Sequence, residues 1–399
     1  MKKILVIGGG NYQVPLIKRI TEMGHEALCV DRNSHSPGFD VATSYTVIDV
    51  LDKESCLAYA KENNIDAVLT FGATLPLTTV SYIGEKMGLR SLPYQTAELS
   101  TNKFHIKKSL DAHGCNIFGD YFEMKGRESV QNHTFDFPCV IKPCDGSGSK
   151  GVSLVKQESE LENALEYAFE SARYGSIYKE GLIRGEEYTV EAFVHEKEVY
   201  VYSIIKTTFE KTADGTVDYG HRTPSGLLKE TEELISAEIK KAIFALNITM
   251  GSVNFDVILS EEDGNPYIID CGIRVGQNLI ASHIIPYSRG VNVTDNTIKQ
   301  ALGEDINPAP KQNRCIATRL LIYKPGIITE IKDFRKLIGT ENIVDIVLRK
   351  GVGDRQNEYR EKSDSCGWVI TTGNTPDEAE EHAKKAKDIL KEFIIINHD

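Results

Sequence analysis

Two aspartates on apolar segments are the first residues that could do chemistry. Residues 251–259 (GSVNFDVIL) and 266–274 (PYIIDCGIR) flank a turn at Glu261–Asn265 and read as a hairpin closed by Gly264 and Asn265. Asp256 stands between Phe255 and Val257, and Asp270 between Ile269 and Cys271. A buried carboxylate is costly unless it is paired or holds a cation. Two of them on facing strands make an oxygen-ligand site suited to Mg²⁺, which completes its shell with substrate phosphates. The plainer alternative is a pair of aspartates satisfied by backbone and by Arg274. Arg274 itself has the planar fork that clamps a phosphoryl group.

A second candidate lies upstream, in residues 137–152 (FPCVIKPCDGSGSKGV). It reads as a short buried strand at residues 140–142 running into a glycine-rich loop. Gly146, Gly148 and Gly151 allow the backbone to approach a ligand closely. Exposed N–H groups and the hydroxyls of Ser147 and Ser149 can cradle phosphate oxygens, with Lys142 adding a charge beside them. The stretch is neither a P-loop nor a dinucleotide fingerprint, and a hairpin turn with a solvated lysine is its structural alternative.

Between these two lie further acids and bases. Glu180 and Glu187 flank a connector that contains Leu182 and Ile183. They could accept bonds from an adenine amino group and a ribose, although a charged hairpin explains them as well. Lys103 falls in the first turn of an amphipathic helix capped by Thr101 or Asn102. There it opposes the helix dipole unless it meets an anion. His221, in the irregular stretch 221–225, is read either as a phosphate or substrate contact or as a backbone-satisfying loop histidine.

The elements that must position these groups follow from periodicity. Residues 4–7, 27–30 and 67–70 are continuous apolar runs separated by helical spacing at 14–23 and 53–63, which implies a doubly wound α/β unit. Gly8, Gly10 and Asp31 invite a dinucleotide reading, but Gln13 occupies the place of the third glycine. A tight strand-to-helix turn accounts for them better. Helices are expected at 159–171 and 230–246, and a strand at 199–206. Past Pro308 and Pro310, residues 314–323, 344–348 and 367–371 read as strands. Thr375 opens a helix with a proline and two acids in its first turn. Residues 352–365 are polar, without apolar periodicity, and read as a loop.

The chain has 399 residues, enough for two or three domains, and carries a net charge of −12. That charge argues against general affinity for nucleic acid or an anionic membrane surface. No apolar run reaches bilayer length, and the N-terminal apolar run is too short for a signal peptide. Eight scattered cysteines show no zinc or disulfide spacing, as expected of reduced thiols in a cytoplasmic protein.

The order of these motifs resembles the ATP-grasp superfamily over residues 1–303. It runs helix lysine, strand lysine with glycine loop, Glu-x-x-Ile-x-Gly-x-Glu, then Asp…Asp-x-Gly-x-Arg. The resemblance implies a Rossmann-like α/β domain at 1–102 and ATP-grasp lobes of α+β type at 103–303, with a lid at 143–151. A small α+β cap at 304–399 completes the chain. It also implies ATP contacts from Lys103, Lys142, Ser147, Gly148, Ser149 and Gly151. Glu180 and the backbone of Leu182 or Ile183 would meet adenine, and Glu187 the ribose. Mg²⁺, with Mn²⁺ as a substitute, would sit on Asp256 and Asp270. Arg274, Lys142 and His221 would act on the transferred phosphoryl group or the substrate. The pattern departs from the family where Asp270 replaces a usual glutamate and Gly272 a usual asparagine. Residues 219–225 are similar to the Gly-His-x-x-Pro stretch of L-amino-acid ligases. The implied function is an ATP-dependent carboxylate–amine ligase joining small-molecule acids and amines. The alternatives are a purine-pathway ligase or carboxylase, a non-catalytic ATP-binding regulator and an NAD-linked oxidoreductase. A homodimer is left open.

Overall fold

The computed structural model describes residues 1–146, 150–212, 215–276, 279–359 and 364–398. The chain divides into two compact units. One comprises residues 1–201, 233–278 and 293–308, the other residues 202–232, 279–292 and 309–399.

The first unit begins with a parallel sheet in the order Ser44–Val47, Glu26–Asp31, Lys3–Ile7, Ala67–Leu69. Its two central strands are apolar on both faces because helices cover both. Leu5, Ile7, Leu28, Val30 and Val68 pack with Cys56, Leu57, Ala60 and Ile83. Strand Ser44–Val47 was not legible in the sequence: it is a mostly exposed edge strand without an apolar run. The glycine turn after the first strand is held by side chains. Asp31 accepts the Gly9 N–H (2.8 Å) and the Asn33 N–H (2.8 Å), and Gln13 donates its amide to the Phe71 carbonyl. Asp31 thus serves the turn, which removes the support it lent to the dinucleotide reading.

Two more sheets complete this unit. Tyr121–Lys125, Ser176–Gly181, Cys139–Pro143 and Ser153–Val155 pair in that order, all antiparallel, with helix Leu161–Ser171 packed on them. The expected helix at 159–171 starts two residues later, after a short 3-10 turn at Glu158–Glu160. The aspartate hairpin forms as Gly251–Ser260 with Pro266–Gly272, and strand Gly185–His195 lies on the other side of Gly251–Ser260. Gly185 is required there: a Cβ would collide with the Leu259 carbonyl oxygen.

Strand Glu198–Thr212, which belongs to the second unit from residue 202 on, and strands Gly215–Thr223, Cys315–Leu320, Gly367–Gly373 and Ile343–Leu348 form antiparallel neighbours in that order. Helix Pro376–Leu390 lays Ala379, Ala383, Ala386 and Leu390 inward. Thr375 caps it by accepting the Glu378 N–H (3.1 Å). A small sheet of Arg355–Gln356, Gly326–Ile331 and Ile394–Asn397 stands beside them. The loop expected at 352–365 therefore contains a short strand, and its residues 360–363 lie outside the described residues.

All eight cysteines are free, and only Cys315 is not buried. Burial pushes the thiols of Cys29, Cys56 and Cys144 up to about 12. A thiol reagent on the native protein is therefore expected to modify Cys315 first and leave the rest to unfolding-limited kinetics, as read by peptide mass mapping. Among the described residues no helix is long and apolar enough to cross a membrane.

Candidate nucleotide and metal site

Within the first unit Lys103, Lys142, Asp256 and Asp270 come together, whereas His221 lies in the second unit. The helix Lys103–Ala112 is capped by Asn102, whose side chain accepts the His105 N–H (3.0 Å). Thr101 is not the cap. The Lys103 N–H donates to the Cys144 carbonyl (2.6 Å), which fixes the helix start to the base of the glycine loop. The Lys103 ammonium is hydrogen-bonded to Asp270 Oδ2. Lys142, on strand Cys139–Pro143, donates to the Ile269 carbonyl (3.4 Å). One helix, one loop base and one hairpin strand thus meet at residues 269–270.

The hairpin register explains how. Asp256 and Asp270 are directly opposite, and the register shifts immediately after Asp256, so that Val257 faces Ile268. This bulge leaves Ile269 over, and its carbonyl is the one that receives Lys142. On the neighbouring strand Thr189 faces Asp256, and Glu191 faces Asn254. Because side chains alternate, Glu187, Thr189 and Glu191 share one face, as do Asn254 and Asp256. Thr189 donates to Asp256 Oδ1 (2.9 Å), and Asn254 Nδ2 donates to Glu191 Oε1 (2.6 Å).

Electrostatics divide the two aspartates. Burial and the neighbouring Asp270 both raise the pKa of Asp256, against the Thr189 hydrogen bond. Burial also pushes Asp270 up, but Lys103 and Lys142 outweigh it and hold its carboxyl below the usual value. Asp256 is thus an acid short of positive charge, and a divalent cation between the two carboxylates would supply it. Both side chains are only half-buried, which leaves them open to a ligand. Among the described residues no cluster of three or more metal-ligating side chains exists. The donor set therefore fits a cation that takes one or two carboxylates and draws its remaining oxygens from phosphates and water.

Glu180 has partners that the sequence did not reveal. Its carboxylate is buried, with Oε1 on Lys142 (2.5 Å) and Oε2 on Lys107 (2.9 Å). Burial pushes its pKa up, and the two lysines more than reverse that. Its oxygens anchor two lysines, a role the sequence did not show. Lys107 was missed by sequence reasoning. Its one signal was a position four residues after Lys103, between the apolar Ile106 and Leu110. The connector residues Leu182 and Ile183 follow strand Ser176–Gly181 as expected, and Glu187 is half-buried on strand Gly185–His195. Ser147, Gly148 and Ser149, the centre of the expected lid, lie outside the described residues. Its flank is anchored where Asp145 accepts the N–H groups of Arg173 (3.1 Å) and Tyr174 (3.0 Å). Gly151 has φ of +78° and is hemmed in by Ser171 and Pro143. Arg274 donates to the Val275 carbonyl (2.9 Å), and a Cβ on Gly272 would sit 3.3 Å from its guanidinium carbon. Glycine at 272 therefore makes room for Arg274. His221 belongs to the second unit, buried, with its backbone N–H on Thr318 Oγ1 (3.1 Å).

Glu191 carries the largest raised carboxyl of the group. Burial lifts it to about 8, against the opposing Asn254 hydrogen bond. The folded state then holds a proton that the unfolded chain releases near its ordinary pKa of 4.5. Stability is expected to fall as pH rises from that value through about 8. Glu191→Gln should flatten this slope and exceed the native protein in urea midpoint above that range.

Comparison with known proteins bears on the fold and the domains. The ATP-grasp domain matches residues 135–281, and the L-amino acid ligase C-terminal domain 2 matches residues 319–391. A formate-dependent phosphoribosylglycinamide formyltransferase of Sulfurisphaera tokodaii is 24% identical over 98% of this chain and 96% of its own. A phosphoribosylamine–glycine ligase of Methanosphaera stadtmanae is 30% identical over 48% of this chain and 46% of its own. Among solved structures, an L-amino acid ligase from Bacillus licheniformis superposes with a TM-score of 0.81 at 20% identity, covering 100% of this chain and 99% of its own. A phosphoribosylglycinamide synthetase from Anaerococcus prevotii gives 0.76 at 23%, covering 100% of both chains. At these identities the structural matches speak for the fold alone. The chain thus carries an ATP-grasp domain over residues 135–281 followed by an L-amino acid ligase C-terminal domain 2 over residues 319–391, as ATP-dependent carboxylate–amine ligases do.

Proposed function

We propose that this protein joins a small carboxylic acid to an amine, with amino-acid-like molecules as substrates, through an acyl phosphate. The observation that carries the reading is the convergence of Lys103, Lys142, Asp256 and Asp270 at one end of the aspartate hairpin. The L-amino acid ligase C-terminal domain at 319–391 supports the substrate class.

A carboxylate is a poor acyl donor because its leaving group would be oxide. Moving the ATP γ-phosphoryl group onto the carboxylate oxygen replaces that leaving group with phosphate. The amine then adds to the carbonyl carbon, phosphate departs, and an amide remains. For the first step the chain supplies position and charge. Lys103 exchanges Asp270 for a phosphate oxygen. Lys142 is held in place by Glu180, and Arg274 is free of steric pressure from position 272. Glu187 takes the ribose, and the backbone at Leu182 and Ile183 takes the adenine ring. Mg²⁺ held by Asp256 and Asp270, when bound, neutralises charge on the β- and γ-phosphates. Asn254, opposite Gly272 on the next strand and oriented by Glu191, stands where the missing family asparagine would otherwise contribute.

The test is a matrix of amino acids and small carboxylates against amines. Mg²⁺-dependent ADP and phosphate release is measured, with products identified by mass. ADP release that requires both an acid and an amine supports the ligase reading. Tight ATP binding without turnover in any pair would overturn it in favour of a nucleotide-binding regulator. The full-length similarity to a formyltransferase makes formate and phosphoribosylated amines necessary members of the matrix.

A further inference from the structure

The second unit contains a cavity that none of the nucleotide-site residues lines. Its volume is about 670 Å³, within the roughly 300–1,000 Å³ typical of small-molecule sites. One wall is aliphatic, from Ile322, Ile394, Ile395 and Ile396, and Tyr359 closes another side. The charges around it are not equivalent. Glu358 and Asp388 are exposed and solvated, as are Lys324 and Lys391, whereas Lys387 is half-buried.

Lys387 is also poorly compensated. Its ammonium lies 4.6 Å from the centroid of the Tyr219 ring and 3.4 Å from the Tyr219 hydroxyl. The guanidinium of buried Arg319 lies 4.7 Å from the same ring. Two recessed cations therefore share one aromatic ring. Burial and Arg319 depress the pKa of Lys387, with Asp388 only partly opposing them. An anion entering the cavity would restore the charge balance at Lys387.

We propose that this cavity is a second small-molecule site, which takes a small carboxylate with an aliphatic body. The carboxylate pairs with Lys387, and with Lys391 at the rim, while the body lies on the isoleucine wall. Aliphatic contact and a recessed cation together select against plain alcohols and against small inorganic anions. The site needs no nucleotide, so it stands or falls apart from the ligase reading.

The experiment is a titration of the full chain, without ATP, with the fluorescent anion anilinonaphthalene sulfonate. One saturable enhancement is expected. Isocaproate should displace the probe, whereas equal concentrations of its alcohol isohexanol or of inorganic phosphate should not. Lys387→Met should weaken isocaproate about tenfold or more, the loss of one charge pair at about 1.4 kcal/mol per decade. The exposed double variant Lys324→Glu with Lys391→Glu should weaken it in the same direction, and keeps the test open if Lys387→Met does not fold. Lys103→Met, in the nucleotide site, should leave binding unchanged. The proposal is overturned if the alcohol or phosphate competes equally, or if both sets of cavity variants bind as the native protein does. Loss of binding in Lys103→Met, or concentration-dependent self-association that excludes the probe, overturns it too.

Discussion

Asp256→Asn is expected to cut Mg²⁺-dependent ADP formation on the order of 10²–10³-fold, the usual cost of one electrostatic group in such a site, while leaving the fold as stable or more so. The two halves of this expectation have one cause. Asp256 faces Asp270 across the hairpin, and burial together with that neighbour raises its pKa. A carboxyl raised in the folded state holds its proton more tightly there than in the unfolded chain. The ionised form is thus a burden on stability that lifts as pH falls through the raised pKa. The amide keeps the Thr189 hydrogen bond and loses the repulsion. A cation bridging the two acids needs both charges, so affinity for MnADP should drop along with turnover. Turnover and thermal melting measured on the same preparation check both halves. A variant that loses stability as well as activity would mean that Asp256 is a structural partner of Thr189 and not a site acid.

The second large effect concerns the lysine pair. Glu180→Gln is expected to cost about 3–5 kcal/mol, the range for stripping the counter-charge from a buried pair. Lys107→Met is expected to cost nearer 1 kcal/mol, an ordinary point-mutant loss. The arithmetic of charge sets the order. Lys107, Lys142 and Glu180 together carry a net positive charge in a site where each side chain is about a tenth exposed or less. Removing Lys107 leaves a neutral pair at 2.5 Å, whereas removing the carboxylate leaves two lysines with no acid between them. Glu180 has a lowered pKa in the fold, so its contribution is present above its ordinary value and is lost as pH falls through the lowered one. Urea denaturation at neutral pH would rank the variants, and Lys107→Met outcosting Glu180→Gln would reverse this account. Lys107→Met also separates positioning from contact. If the lysine only steadies Glu180 and Lys142, KM for ATP should rise with little change in kcat, and Lys107→Arg should restore it.

Much of this site was legible from residue types and order alone. Apolar neighbours on both sides of Asp256 and Asp270 marked them, because a strand interior tolerates a carboxylate only for a reason. The Gly264-Asn265 turn fixed the two aspartates as hairpin partners. Apolar runs at 4–7, 27–30 and 67–70 revealed the parallel sheet, since strands covered on both faces have no polar alternation to hide them.

What the sequence could not carry was everything that depends on distance between remote segments. Lys107 is indistinguishable from a solvated helix lysine until strand Ser176–Gly181 brings Glu180 against it. The bulge after Asp256 that turns the Ile269 carbonyl toward Lys142 is a register choice, and register is settled by the packing of three strands. Gly272 reads as a lost ligand in the chain and as clearance for Arg274 in the fold. The amino-acid order decided which charged groups this protein brings to the aspartate hairpin. The tertiary structure decided which charge each of them faces, because Coulomb energies and desolvation depend on neighbours that lie up to 167 positions away, as Lys103 and Asp270 do.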